Sequence, residues 1–210
     1  MILKPQNVDD LGFLVVEDLY SAHELKFVWN EINHIDYVLD VVFDDNAKEE
    51  HKKSHNGVND QGVAKMSGFG LSLDSFFSDR KFSAILRYSD KLMSEEVVNA
   101  MVGINGENKS YSLVNWHFTL LNKYKSGEVY TKHQDSSSFS VIVFLSKGEI
   151  QGGGLEFCDY NTTVPFKNNS CVIFPSRAYH QTESFSSKSE RYSIAQFKTV
   201  KYYMDRNAGY

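Results

Sequence analysis

The stretch Tyr130-Thr-Lys-His133-Gln-Asp135-Ser-Ser-Ser-Phe139-Ser-Val-Ile-Val-Phe144-Leu-Ser146 contains two runs of strand character, about 129 to 135 and 139 to 146. β-branched and aromatic residues suit a pleated, half-buried surface, which favours the extended reading over a helix. In an extended strand, residues i and i+2 project from one face, so His133 and Asp135 can both reach a single metal ion. One short segment cannot curl round an ion whose donors lie about 2 Å away, so a further ligand has to arrive from another strand.

Working outward, eight strand-like segments follow from Leu113: about 113 to 124, 129 to 135, 139 to 146, 153 to 158, 162 to 166, 171 to 175, 179 to 184 and 190 to 199. Turn residues separate most of them, including Ser126-Gly127, Lys147-Gly148, Gly152-Gly153-Gly154, Asn168-Asn169 and Ser186-Ser187. Eight short strands with regular turns suit a double-sheet jelly roll. The expected fold is mainly β with N-terminal α-helices, around a double-stranded β-helix (jelly-roll, cupin-like) core.

Upstream, Leu11 to Tyr20 reads as a strand that leads to Ser21, which forms a capping box with Glu24. Leu25, Val28, Trp29, Ile32 and Ile35 then recur at helical spacing as one apolar stripe. About 44 to 61 is polar and mixed in charge, and is expected to be a long loop, with a substrate lid and a disordered segment as the open alternatives. Residues 71 to 101 read as mainly helical, with Ser94, Glu95 and Glu96 opening the last helix and Gly103 near its end. The domain expectation is one unit over 1–210, with 1–112 as a helical support region, 113–199 as the jelly-roll core and 200–210 as a tail.

Composition narrows the function classes. The chain has 210 residues, 41% hydrophobic content and a net charge of -5, so it can bury a sizeable core and shows no basic footprint for nucleic acid. The opening twenty residues carry Asp9, Asp10 and Glu17 rather than a basic start and apolar core, and no run approaches a membrane span; the expectation is a cytoplasmic protein with no membrane partner. Cys158 and Cys171 have no CxxC spacing and read as two buried thiols.

Motif pattern alone does not decide the site. His34-Ile-Asp36 repeats the His-x-Asp spacing on the amphipathic helix, where i and i+2 do not face each other. His117 lies on a strand with parity opposite to Tyr124 and reads as structural, and His23, His34, His51 and His55 fall on a helix surface or in the polar loop. That leaves His133, Asp135 and His180, followed by Arg191, on strand-like segments. Two histidines and one carboxylate on one face suit non-haem Fe(II), with three positions left open.

The stretches Tyr124-Lys-Ser-Gly127-Glu-Val-Tyr130-Thr-Lys-His133-Gln-Asp135, Gly152-Gly-Gly-Leu-Glu-Phe157, Val172-Ile-Phe-Pro-Ser176 before His180, and Arg191-Tyr-Ser193-Ile together resemble the Fe(II)- and 2-oxoglutarate-dependent dioxygenases. Within them the chain looks most like the prolyl 4-hydroxylase branch, firmly over about Leu113 to Phe197, and its helix-rich half, including Gly70-Leu-Ser-Leu-Asp74 and Ser83-Ala-Ile-Leu86, resembles small viral or bacterial members of that branch. The resemblance implies that His133, Asp135 and His180 bind Fe(II), and that 2-oxoglutarate chelates the ion through its keto and C1-carboxylate oxygens. Arg191 then holds the distal carboxylate, for which a guanidinium offers paired donors. Ser193, two residues on along the same face, adds a hydroxyl donor, and Tyr124 matches the family tyrosine that lies over the cosubstrate. Where animal relatives often place a tyrosine to help hold that carboxylate, this chain has Phe144. The implied reaction is oxidative decarboxylation of 2-oxoglutarate to succinate and CO2 with O2 as cosubstrate, ascorbate as an optional auxiliary, and hydroxylation of a peptide or protein side chain, prolyl 4-hydroxylation foremost. The alternatives are a free amino acid or other small metabolite as substrate and, further off, a nucleic-acid demethylase or a jelly-roll binding module without turnover.

Overall fold

The run Phe139–Ser146 is buried along nearly its whole length because both faces of its sheet are covered. Phe139, Val141, Val143 and Leu145 enter one apolar cluster with the helices, whereas Ile142 and Phe144 enter a second. The computed structural model describes residues 1–42 and 68–201. The expected polar loop at 44 to 61, with His51 and His55, and the tail from 202 onward lie outside the described residues.

The strands are β1 (Ile2–Val8), β2 (Leu11–Glu17), β3 (Phe69–Ser72), β4 (Trp116–Tyr124), β5 (Tyr130–His133), β6 (Phe139–Ser146), β7 (Gln151–Gly152), β8 (Leu155–Phe157), β9 (Thr162–Val164), β10 (Ser170–Pro175), β11 (His180–Thr182), β12 (Phe185–Ser186) and β13 (Arg191–Thr199). Seven of them form a major sheet in the order β1-β2-β10-β6-β13-β4-β3, and four form a minor sheet in the order β5-β11-β8-β9. β12 and β7 make a separate pair, and the pairings are antiparallel. Leu11, Phe13, Phe144, Val172 and Phe174 of the major sheet pack on Leu155, Phe157 and Val164 of the minor sheet, which is the jelly-roll core.

The other face of the major sheet is covered by α1 (Ala22–Val42), α2 (Leu73–Phe76), α3 (Ala84–Tyr88) and α4 (Glu95–Val102). Val28, Ile32, Ile35 and Leu39 of α1 are buried against Val143, Ile173 and Ile194. The capping box forms as expected: the Ser21 amide donates to Glu24 Oε2 at 2.8 Å and the Glu24 amide to Ser21 Oγ at 3.3 Å. Among the described residues, no helix is long and apolar enough to cross a membrane.

Several boundaries differ from the sequence reading, each for a local reason. β1 pairs along β2 although Lys4, Pro5, Gln6 and Asn7 hide its strand character; an edge strand tolerates them because only one side is hydrogen-bonded. Phe69–Ser72, expected at the head of a helical stretch, is instead the other edge strand, and pairs with β4. The strand expected to start at 113 is delayed to Trp116 by a 3-10 segment at Glu107–Leu113. The strand expected over 153 to 158 is shortened to Leu155–Phe157, after a turn at Gly152 and Gly153, which adopt φ of 80° and 74°. A Cβ at Gly152 would lie 2.6 Å from the Ser184 carbonyl oxygen, so the turn excludes a side chain there. Of the two cysteines, Cys171 is buried as expected and Cys158 only half-buried.

One element of the helix-covered face is costly. Lys198 is 1% exposed on β13, and burial pushes its ammonium down to about 8 against the opposing pull of Asp90 and Cys171. Because the folded value lies below that of an unfolded lysine, stability is fully present above about pH 10.4 and is lost as pH falls through about 8. Lys198→Met is therefore expected to raise the denaturation midpoint at pH 7, with the gain shrinking as pH approaches 10.4. Urea melts of both proteins at the two pH values check this, and an equal difference at both would contradict it.

Candidate metal centre and anion pocket

The minor sheet sets His180 of β11 directly opposite His133 of β5 in the antiparallel register. In each histidine, Nδ1 contacts the carbonyl two residues earlier: Thr131 at 2.7 Å for His133 and Ala178 at 2.9 Å for His180. A carbonyl can only accept, so both rings carry their proton on Nδ1 and leave the Nε2 lone pair free for a metal. Both Nε2 atoms turn to one carboxylate, His133 Nε2 lying 3.5 Å from Asp135 Oδ1 and His180 Nε2 3.5 Å from Asp135 Oδ2. Among the described residues this is the one cluster of three histidine, cysteine or acidic side chains able to hold a metal, with ligand atoms within 4.8 Å of one another.

Asp135 does not lie on the strand, as the sequence reading expected; β5 ends at His133. The carboxylate is placed instead by its amide, which donates to the Ser176 carbonyl at 3.1 Å, and by Ser140 Oγ, which donates to Oδ2. Burial alone would raise the Asp135 pKa, but His133, His180 and Ser140 outweigh it and hold the carboxyl below its usual range. Burial pushes His180 down to about 4, with Asp135 opposing and His133 reinforcing the shift. A neutral His180 facing an ionised carboxylate matches the protonation state that a divalent metal requires of its ligands.

The cavity between the sheets is lined by the three residues of this cluster together with Tyr124, Tyr130, Asn122, Ser193, Leu120, Ile142, Ala195 and Phe197. Arg191 starts β13 opposite Tyr124 of β4, and its guanidinium Cζ lies 5.0 Å from the Tyr124 ring centroid. The same carbon is 5.7 Å from Phe144 and 5.9 Å from Phe166, so three rings surround the cation. Arg191 is 0% exposed, and none of its three nitrogens has a hydrogen-bond partner among the described residues. Burial lowers its pKa. Buried charges are ordinarily paired, so an unpaired guanidinium fits an anionic ligand with planar oxygens. The donor set, two neutral imidazoles and a carboxylate, fits Fe(II) with open positions, and the orphaned guanidinium fits the distal carboxylate of a keto diacid.

Ser193 follows on the same face and is 2% exposed, with Asn122 Nδ2 3.4 Å from its Oγ. Tyr124 is buried, which raises its hydroxyl pKa against the opposing effects of Arg191 and Ser193. The decoy pair is elsewhere: Asp36 accepts from Tyr192 at 2.6 Å and pairs with Lys123 at 3.3 Å on the helix-covered face. His117 is on that face too, beside Asp90 at 4.0 Å. Sequence reasoning missed Tyr130, whose ring stacks on His133 at 3.9 Å, and also missed Asn122 and Ser140. Asn122 was accessible in principle, since it shares strand parity with Tyr124; Ser140 was not, because its approach to Asp135 depends on a turn.

Residues 119–198 match the family model of the 2OG-Fe(II) oxygenase superfamily. No curated protein sequence matches the chain. Among solved structures, the chain is similar to a Pseudomonas putida prolyl-4-hydroxylase at TM-score 0.61 and 15% identity, over 93% of this chain and 97% of that one. It is also similar to a Trichoplax adhaerens prolyl hydroxylase in complex with a hypoxia inducible factor oxygen degradation domain peptide fragment, at TM-score 0.60 and 14% identity, over 90% of this chain and 83% of that one. A third likeness is to the viral collagen prolyl hydroxylase of Paramecium Bursaria Chlorella virus-1 in its 2OG complex, at TM-score 0.51 and 14% identity, over 90% and 96% of the two chains. At these identities the likeness establishes a shared jelly-roll fold.

An unpaired buried charge also predicts a thermal signature. Arg191→Met is expected to raise the melting temperature of the ligand-free protein, because an apolar side chain of similar length removes an uncompensated cation. The keto-acid analogue N-oxalylglycine, with Mn(II), is expected to stabilise the wild type by mass action and the variant far less. Differential scanning fluorimetry decides it: stabilisation of both proteins to the same extent would remove Arg191 from the anion site.

Proposed function

We propose that the chain, whose residues 119–198 match the family model of the 2OG-Fe(II) oxygenase superfamily, is such an oxygenase and hydroxylates the side chain of a peptide or protein, foremost a prolyl residue. The observation that carries the cosubstrate half of this reading is the buried, unpartnered guanidinium of Arg191, packed on Tyr124, which lines the cavity that also holds the His-Asp-His cluster. In the proposed arrangement His133 and His180 hold Fe(II) through Nε2, and Asp135 holds it through a carboxylate oxygen. Arg191 binds the distal carboxylate of 2-oxoglutarate, with Ser193 as a supplementary donor and Tyr124 covering the cosubstrate. The bound iron and keto acid supply O2 activation, with release of succinate and CO2 and delivery of hydroxyl to a C–H bond.

The chain's own residues then bind, orient and exclude water. The rings of Tyr124, Phe144 and Phe166 keep the Arg191 end apolar, which strengthens a charge-assisted bond to an incoming carboxylate. Leu120, Ile142, Ala195 and Phe197 give the same cavity an apolar wall, suited to an aliphatic ring rather than a charged head group. The prolyl assignment is supported by that wall and by the fold shared with three prolyl hydroxylases, one of them solved with a peptide. A net charge of -5 weighs against a nucleic-acid substrate.

Incubation with a peptide library, Fe(II), ascorbate and 2-oxoglutarate is expected to form succinate and to add one oxygen to proline, read by mass spectrometry. Turnover of a free amino acid with no peptide product would transfer the assignment to small-metabolite hydroxylation. Arg191→Ala is expected to raise the apparent KM for 2-oxoglutarate about tenfold or more, and Ser193→Ala only a few-fold, as befits a charge-assisted pair against a single neutral donor. Equal increases would contradict this division between the two side chains.

A further inference from the structure

Three serines converge behind Asp135 from different parts of the fold: Ser140 on β6, Ser176 just after β10, and Ser137 between β5 and β6. Ser140 Oγ donates to Asp135 Oδ2. Ser140 Oγ and Ser176 Oγ lie 2.7 Å apart, as do Ser176 Oγ and Ser137 Oγ. Ser140 and Ser176 are both 0% exposed, so water does not substitute for these contacts. The turn that brings them together is held by the backbone, with the Ser176 amide donating to the Ser138 carbonyl at 3.1 Å.

Each hydroxyl has one proton to donate. Once Ser140 commits its proton to Asp135, the Ser140–Ser176 contact requires the proton of Ser176, and the Ser176–Ser137 contact then requires that of Ser137. The donors therefore align in one direction, from Ser137 to Ser176 to Ser140 to Asp135. Ser176 and Ser140 each accept while they donate, and such a chain is polarised towards its anionic end. Ser137 Oγ also lies 3.1 Å from the Phe139 carbonyl, a contact that competes for the same last proton.

We propose that this serine relay positions Asp135 as a one-oxygen metal ligand, by engaging Oδ2 and leaving Oδ1 to the ion. Two histidines and one carboxylate oxygen leave three positions of the ion open; a carboxylate bound through both oxygens would close one of them. Ser140 is thus a positioning residue, acting through Asp135. The proposal rests on the metal-centre reading of His133, Asp135 and His180, and its test separates the two.

The measurement is Mn(II) affinity of the intact protein by calorimetry, with the metal-free melting temperature recorded for each variant. Ser140→Ala is expected to weaken Mn(II) binding about 10–100-fold, the usual cost of losing an outer-shell partner, while the metal-free melting temperature stays near wild type. Ser140→Thr, which keeps the hydroxyl, is expected to restore affinity, and Ser176→Ala to lose less than Ser140→Ala. Wild-type affinity in Ser140→Ala overturns the relay while the metal centre stands, and so does a Ser140→Thr protein as weak as Ser140→Ala. Absence of Mn(II) binding by the wild type overturns the metal-centre reading and the relay with it. Should Ser140→Ala not fold, Ser176→Ala decides, since unchanged affinity there breaks the relay at its middle link.

Discussion

The pairing of β11 with β5 places His180 against His133 across the minor sheet, and the chemistry of the site depends on that register. Each imidazole is then oriented by the same short-range device, an Nδ1 proton given to the carbonyl two residues back. The result is two Nε2 lone pairs directed at one point, with Asp135 closing the third side. A slip of one residue would turn one histidine to the opposite face of its strand and dissolve the cluster. Tyr130 and Phe174 pack against the two rings, at 3.9 Å and 4.8 Å between centroids, and limit their rotation.

The second constraint is electrostatic. Arg191 is placed at the start of β13, within an aromatic surround and without a hydrogen-bonding partner among the described residues. An isolated buried cation is destabilising in a resting fold, and the proposed anionic cosubstrate would supply the partner that Arg191 lacks. The Phe144 ring that adjoins it adds no hydrogen-bond donor beside the guanidinium. The Gly152-Gly153 turn runs close by, and a Cβ on Gly153 would sit 3.5 Å from Arg191 Cδ. Glycine there lets the backbone approach the arginine stem.

The two faces of the major sheet divide the work. On the helix-covered side Val143, Ile173, Ile194 and the α1 stripe supply most of the apolar burial. On the inner side alternate residues of the same strands, Asn122 and Tyr124 of β4 with Arg191 and Ser193 of β13, face the site. Rigid, doubly covered strands hold side chains more precisely than loops can; Arg191 and Ser193 lie at the start of such a strand, whereas His133 and His180 lie at the ends of short strands of the minor sheet.

What the sequence determined by itself were the properties carried by local periodicity. The strand character of 139–146 and 190–199, the helical stripe from Leu25 to Ile35 and the Ser21–Glu24 capping box all follow from near-neighbour properties, and all are present. The same logic rejected His34 and Asp36, because i and i+2 do not share a face in a helix; it singled out His133 and Asp135 on strand parity, although Asp135 lies just beyond the end of β5. His180 and Arg191 were recognised as members of a set through motif resemblance, while their distances from His133 and Tyr124 were not legible. The edge strands β1 and β3 escaped detection because one-sided pairing imposes little pattern on sequence. Only the tertiary structure decided that Asp135 leaves its strand, that Ser140, Ser176 and Ser137 line up behind it, and that Arg191 is caged by Tyr124, Phe144 and Phe166. Those arrangements depend on cross-strand register and on turns that bring distant residues together, and neither leaves a period in the chain.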